Sequence, residues 1–133
     1  MQGKHLYEYA VIRLVPRVER EEFFNVGIIL FSKRAKYIKA LYKVDEDKLN
    51  LFSSELDRES LFANLHVFDK ICSGTKEGGP IAALDIPERF RWLTAVRSAS
   101  IQTSRPHPGF SDDLDRTLEI LLSLIHISEP TRR

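Results

Sequence analysis

Three arginines, two glutamates and an asparagine crowd the link between two apolar runs near the N-terminus: Arg13, Arg17, Arg20, Glu21, Glu22 and Asn25. Guanidiniums offer planar forks of donors that fit carboxylates and phosphates, so the cluster could hold an anion. Arg13 and Asn25 stand out because the residues around them are otherwise apolar, and a buried charge or amide needs a partner or a function. The competing reading is a solvated loop whose exposed ion pairs contribute no more than about 1 kcal/mol each. A second polar concentration, Arg97–Asp113, contains Arg97, Ser98, Gln102, Ser104 and His107. Period-two alternation places Ser98, Ser100, Gln102 and Ser104 on one side of a strand, opposite Ala99, Ile101 and Thr103. That side is either solvent-facing or a groove for a peptide or nucleic-acid backbone. His107 has no acid or nucleophile at a diagnostic spacing and reads as a loop histidine. Asp112 and Asp113 read as a first-turn pair favoured by a helix dipole.

A third pattern is basic. Lys33, Arg34, Lys36, Lys39 and Lys43 surround Tyr37 and Tyr42 with no acid among them. Such a strand could grip phosphates and stack bases. It could equally be a sheet edge that lysines protect from aggregation. A formal charge of +1 supplies no wider basic field and favours the edge. Phosphate-loop, dinucleotide and zinc-protease motifs are absent, and Cys72 has no second cysteine. Residues 74–79 have the wrong glycine order for a phosphate loop and read as a helix stop followed by a linker. His66 reads as a helix-boundary histidine and Cys72 as a small buried thiol. No catalytic residue can be named, and no metal or cofactor is implied.

The elements that must position these residues follow from periodicity. Leu6–Val15 has apolar residues at both parities, as expected of an interior strand covered on two faces. Tyr7, Tyr9, Val11, Arg13 and Val15 share one side, and Pro16 is expected to end the strand. Phe23–Ser32 is a second strand, with Gly27 marking a bulge or a close backbone approach. Tyr37–Val44 is a third, with Ile38, Ala40, Tyr42 and Val44 on one face. Short links make these an antiparallel meander. Asp45 opens a short helix, and Glu55–Ser73 forms a longer one with Leu61, Phe62, Leu65, Phe68 and Cys72 on its apolar stripe. Ser54 and Asp57 resemble a capping box, and Gly74 is the stop. Glu88–Val96 is a helix anchored by Phe90, Trp92 and Leu93, with Pro87 near its start. Ser100–Ser104 is a fourth strand. Pro106, Pro108 and Gly109 then break the chain, and Ser111 caps a last helix through Leu114, Leu118 and Leu121. The fold class is α+β: a small antiparallel sheet, a three-stranded meander plus a fourth strand, packed on three to four helices.

The 43% apolar and 29% charged content is that of one soluble domain. A lone cysteine and the absence of an apolar leader or spanning segment point to the cytoplasm, away from any membrane. The tail from Leu122 to Arg132, LSLIHISEPTR, resembles the in-frame translation of a sequencing-library adaptor. Residues 1–121 are therefore taken as the domain and 122–133 as a non-native tail, with the native C-terminus lost beyond about Leu121. His126 and Glu129 carry no role.

Three groups of residues together resemble a known family: Tyr7-x-Tyr9-Ala10-Val11-x-Arg13-x-Val15-Pro16, Glu22-Phe23-x-Asn25-Val26-Gly27 and Arg89-Phe90-x-Trp92-Leu93-Thr94-Ala95. Arg97-Ser98, Ile101-Gln102-Thr103-Ser104 and His107-x-Gly109 extend the likeness, which runs from about Leu6 to Leu121. The family is the bacterial domain of unknown function 3037. Val96, Arg105 and Pro108 depart from its pattern, in and around the loop after Gln102. The resemblance implies a bacterial intracellular protein, with a HipA-type kinase as a protein partner. Three functions follow. The first is a non-catalytic interaction domain with a polar Arg/Glu/Asn surface site. The second is an enzyme in which Arg13 and Arg97 hold a phosphorylated or carboxylated substrate while Glu22 or His107 moves protons. The third is a nucleic-acid module built on the basic strand 33–43. All site readings require Asn25 and Gln102 to fall in one sheet.

Overall fold

Strand β1 (His5–Arg17) is apolar at both parities because it lies inside a five-stranded antiparallel sheet. The computed structural model describes residues 4–17, 22–45, 47, 58–95 and 101–127. β2 (Glu22–Ser32) pairs with one side of β1, and β3 (Tyr37–Tyr42) pairs with the far side of β2, completing the expected meander. The other side of β1 is shared by two short strands, β4 (Ile101–Thr103) opposite its later residues and β5 (His107–Ser111) opposite its beginning.

β5 was not expected, since Pro106, Pro108 and Gly109 read as breakers. A proline is tolerated in a sheet when its missing donor lies on an outer edge, and Pro108 sits in the outermost strand on that side, opposite Glu8. Gly109 has a different reason: a Cβ there would collide with the hydroxyl end of the Tyr7 phenol, which lies against it. Nor does Pro16 end β1. Pairing slips between Leu14 and Arg17 and resumes at Arg17 opposite Glu22, so Pro16 occupies a step where the ladder is already irregular.

A second slip matters more. Ile12 faces Gly27 while the next residue, Arg13, faces Asn25, so Val26 is extra, as in a β-bulge. Gly27 also has the close approach that its position suggested: a Cβ would lie 2.5 Å from the Leu41 carbonyl oxygen.

Helices α1 (Arg58–Ser73) and α2 (Ile86–Ala95) cover one face, where Ala10, Ile12, Leu14 and Ile101 from the sheet meet Leu65, Phe68, Ile71, Phe90 and Leu93. Phe90 stacks on Phe31 with ring centroids 4.8 Å apart. Ile38, Ala40, Tyr42 and Val44 all join this core, as their spacing predicts. Two expected anchors do not: Phe62 and Trp92 are exposed, being off the faces set by Leu65–Phe68 and Phe90–Leu93. Gly74, with φ +74°, ends α1 by donating its N–H to the Lys70 carbonyl at 3.0 Å. Arg89 finishes that end, its Nη1 donating to the Ile71 and Cys72 carbonyls at 2.9 and 3.0 Å.

Helix α3 (Leu114–Ile127) covers the opposite face through Leu114, Leu118 and Ile125 against Ile28 and Leu30. Its cap is Asp113, whose Oδ1 accepts the Arg116 N–H at 3.1 Å; Ser111, two residues upstream, instead accepts the Asp113 N–H at 2.9 Å. α3 runs on into the adaptor-like tail, where Ile125 is buried. The expected cap at Ser54 and Asp57, and most of the short helix after Asp45, lie outside the described residues. Among the described residues no helix is long and apolar enough to cross a membrane.

Candidate functional site

The bulge at Val26 brings the two polar concentrations together. Arg13 lies between Asn25 on β2 and Gln102 on β4, forming one row across three strands. Without the slip, Val26 would face Arg13 and the row would be broken. Ile12 and Leu14 point into the core beneath α1 and α2, so Arg13 projects from the α3 face. Asn25 is buried there and its Nδ2 donates to the Ile125 carbonyl of α3 at 3.4 Å. Arg13 and Gln102 are half-buried. Burial lowers the pKa of Arg13, so the net effect of its surroundings is to disfavour its charge.

This row continues along β1. α3 packs chiefly on β2 and β3, which leaves Tyr7, Tyr9, Val11 and Arg13 of β1 only partly covered on that face. Tyr9 faces His107 across the β1–β5 pair, the ring centroids 5.3 Å apart. Tyr7 rests on Gly109, 6.4 Å from the Tyr9 ring, and burial raises its pKa. The result is a strip of two phenols, an imidazole, a guanidinium and an amide beside α3. Tyr7 and Tyr9 were not singled out in the sequence, although they share the parity of Arg13. His107 proves to be a strand residue rather than a loop one, because β5 forms despite its prolines.

Ser104 is not available to a ligand. β4 stops at Thr103, and Ser104 bridges the break before β5: its backbone N–H donates to the Val11 carbonyl at 2.9 Å, and its Oγ accepts the Val11 N–H at 2.9 Å. It is buried, not part of a solvent-facing polar side as alternation suggests. Thr103 faces α2, donating its hydroxyl to the Thr94 carbonyl at 3.1 Å. Arg17 and Glu22 face each other in the β1–β2 register. Their side chains, together with Arg20, Arg97 and Ser98, lie outside the described residues.

The basic strand behaves as an edge. β3 is the outermost strand on its side, and both of its tyrosines are engaged by the fold. Tyr37 donates its hydroxyl to Asp115 of α3 at 2.7 Å, and Tyr42 donates to the Leu65 carbonyl of α1 at 3.2 Å. Burial, then the bond to Asp115, raises the Tyr37 pKa. Lys39 also reaches Asp115, at 3.6 Å. Between β3 and α1 lies a cleft of about 280 Å³ lined by Lys39, His66, Asp69 and Cys72 among others. Burial pushes the Cys72 thiol up to about 12, so it is no nucleophile near neutrality. Among the described residues no group of three His, Cys, Asp or Glu could hold a metal ion.

Sheet, helices and strip thus define a small α+β domain with one face sealed and the other half-open. The chain belongs to the family described as "Protein of unknown function (DUF3037)", which it matches over residues 9–125. No curated protein and no solved structure matches it.

Proposed function

We propose that the domain is a non-catalytic interaction module, an accessory to another bacterial protein. One observation carries the reading: the Asn25–Arg13–Gln102 row on a sheet face that α3 only half covers. A half-buried guanidinium set in a row between two amides offers planar, directional donors that suit recognition of a partner's acceptors. Proton transfer has less support. His107 pairs with Tyr9, four positions along β1 from Arg13, and its ring packs at a tilt against that tyrosine. Nucleic-acid binding through β3 also has less support, since the tyrosines that would stack bases are held by Asp115 and Leu65.

The family resemblance suggests a HipA-type kinase as the partner. Co-expression of the chain with such a kinase from a neighbouring gene, followed by size-exclusion chromatography, tests the reading. A stable shared peak is expected. Separate elution at micromolar concentration contradicts it.

A further inference from the structure

The two outermost strands of the sheet are finished differently. β5 contains Pro108, which takes a donor out of its backbone. β3 has no such device: its six residues (YIKALY) include no proline, and its register runs from Gly27 opposite Tyr42 to Ser32 opposite Tyr37 without a slip. The one charge inside it is Lys39, whose ammonium lies 3.6 Å from Asp115 of α3. A single bond fixes the phase of the ladder. The Lys43 N–H donates to the Val26 carbonyl at 2.8 Å, so Lys43, Leu41 and Lys39 belong to the pairs that bond to β2. Ile38, Ala40 and Tyr42 therefore turn their N–H and C=O groups outward, and no described strand pairs with that side. Nor does α1 seal it: the cleft of about 280 Å³ opens between α1 and Ile38, Lys39 and Ala40.

The charges are sorted to the two ends of this edge rather than spread along it as guards. Lys33, Arg34 and Lys36 lie in the turn before β3, are exposed, and form no ion pair among the described residues. Lys36 holds a left-handed φ of +53°, a position that glycine would fill at lower cost. Asp45, Glu46 and Asp47 follow the strand in sequence. Asp47 is exposed, and its N–H donates to the Asp45 carboxylate at 3.0 Å. Antiparallel pairing of two such edges sets each cationic end beside an anionic one, whereas parallel pairing sets like beside like.

We infer that β3 pairs with β3 of a second copy of this chain, antiparallel and centred on Ala40, so that two sheets join about a two-fold axis. The register is self-complementary. Ala40 meets Ala40, and on the α1 face Ile38 meets Tyr42, a β-branched residue against an aromatic one. On the other face Lys39 meets Leu41, and Lys43 meets the Tyr37 phenol that is bonded to Asp115. No lysine lies directly opposite another. The pairing is independent of the Asn25–Arg13–Gln102 row, which is carried by β2, β1 and β4.

Sedimentation of the full chain alone, from about 1 to 200 µM, tests the pairing in the range where a small interface associates. A monomer–dimer equilibrium is expected. The double variant Lys33→Glu/Lys36→Glu and the single variant Asp47→Lys should each raise the dissociation constant at least about tenfold. An equimolar mixture of the two should dimerise more tightly than either alone, because its ends are matched again. All three positions are exposed, so melting curves should stay those of the wild type. In hydrogen exchange, the Ile38, Ala40 and Tyr42 amides should slow as concentration rises, while those of Lys39 and Leu41, already bonded to β2, should not change. A chain that stays monomeric, a dimer whose β3 amides ignore concentration, or a dimer indifferent to the reversed charges overturns the inference. So does protection of those amides only when a kinase is bound, which would give the edge to another protein. Dimerisation without a kinase complex would remove the interaction reading and leave the edge; a kinase complex formed by a monomeric chain would do the reverse.

Discussion

The two faces of β1 have similar compositions and opposite fates. Ala10, Ile12 and Leu14 are 0% exposed beneath α1 and α2. Tyr7, Tyr9, Val11 and Arg13, one residue out of phase, remain half-buried because α3 sits over β2 and β3 instead. Strand composition therefore does not decide which face becomes core. The placement of the covering helix does, and that is set by contacts outside β1, the local one of Thr117 with Ser111 and the distant one of Asp115 with Tyr37. One alternating strand can seal a core on one side and present a binding strip on the other.

Truncating the sealed face should produce the largest effect. Leu14→Ala removes a fully buried side chain and should cost about 2–5 kcal/mol, read from the midpoint of urea denaturation. A change below about 0.5 kcal/mol would mean that this face is no core. Gly27→Ala comes next. Its Cβ would meet the Leu41 carbonyl, a backbone atom that cannot swing aside, so a loss of about 1–3 kcal/mol is expected. On the half-open face, Arg13→Met should leave stability within about 1 kcal/mol, because losing a disfavoured charge offsets the lost polar contacts. If it unfolds the chain, Arg13 is a structural residue and the strip loses its anchor.

The smallest effect belongs to α3's contact with β3. The bond from Tyr37, and then Lys39, holds the Asp115 carboxyl below the usual carboxylate range. A depressed folded pKa contributes stability that is present above the unfolded value, about 3.9, and is lost as pH falls through the folded one. Asp115 is exposed, so Asp115→Asn should remove no more than about 1 kcal/mol at neutral pH. The difference between variant and wild type should shrink as pH falls below the unfolded carboxylate value and vanish once the folded carboxyl is itself protonated, as denaturation curves across pH would show.

Much of this was legible in the residues. The doubly apolar β1 and the meander followed from parity and short connections, whereas the shared sheet of the Asn25 and Gln102 segments was a requirement of the site that only the β1–β4 pairing supplies. Gly27 signalled a bulge or a close approach; the approach is at Gly27 itself and the bulge at its neighbour Val26. Other features depended on tertiary context. β5 forms across residues that locally oppose a strand, because β1 offers a free ladder and Tyr7 packs on Gly109. Ser104 looked exposed by alternation, yet the break at Thr103 turned it inward to Val11.

The candidate site depends most on the row that the Val26 bulge creates, and nuclear magnetic resonance of the isotope-labelled chain reads it directly. Cross-strand backbone contacts should join Arg13 to both Asn25 and Gln102, and Ile12 to Gly27 and Thr103. If Arg13 instead contacts Val26, or Gln102 shows no contact with β1, the three polar side chains do not share a row and the proposed site does not exist.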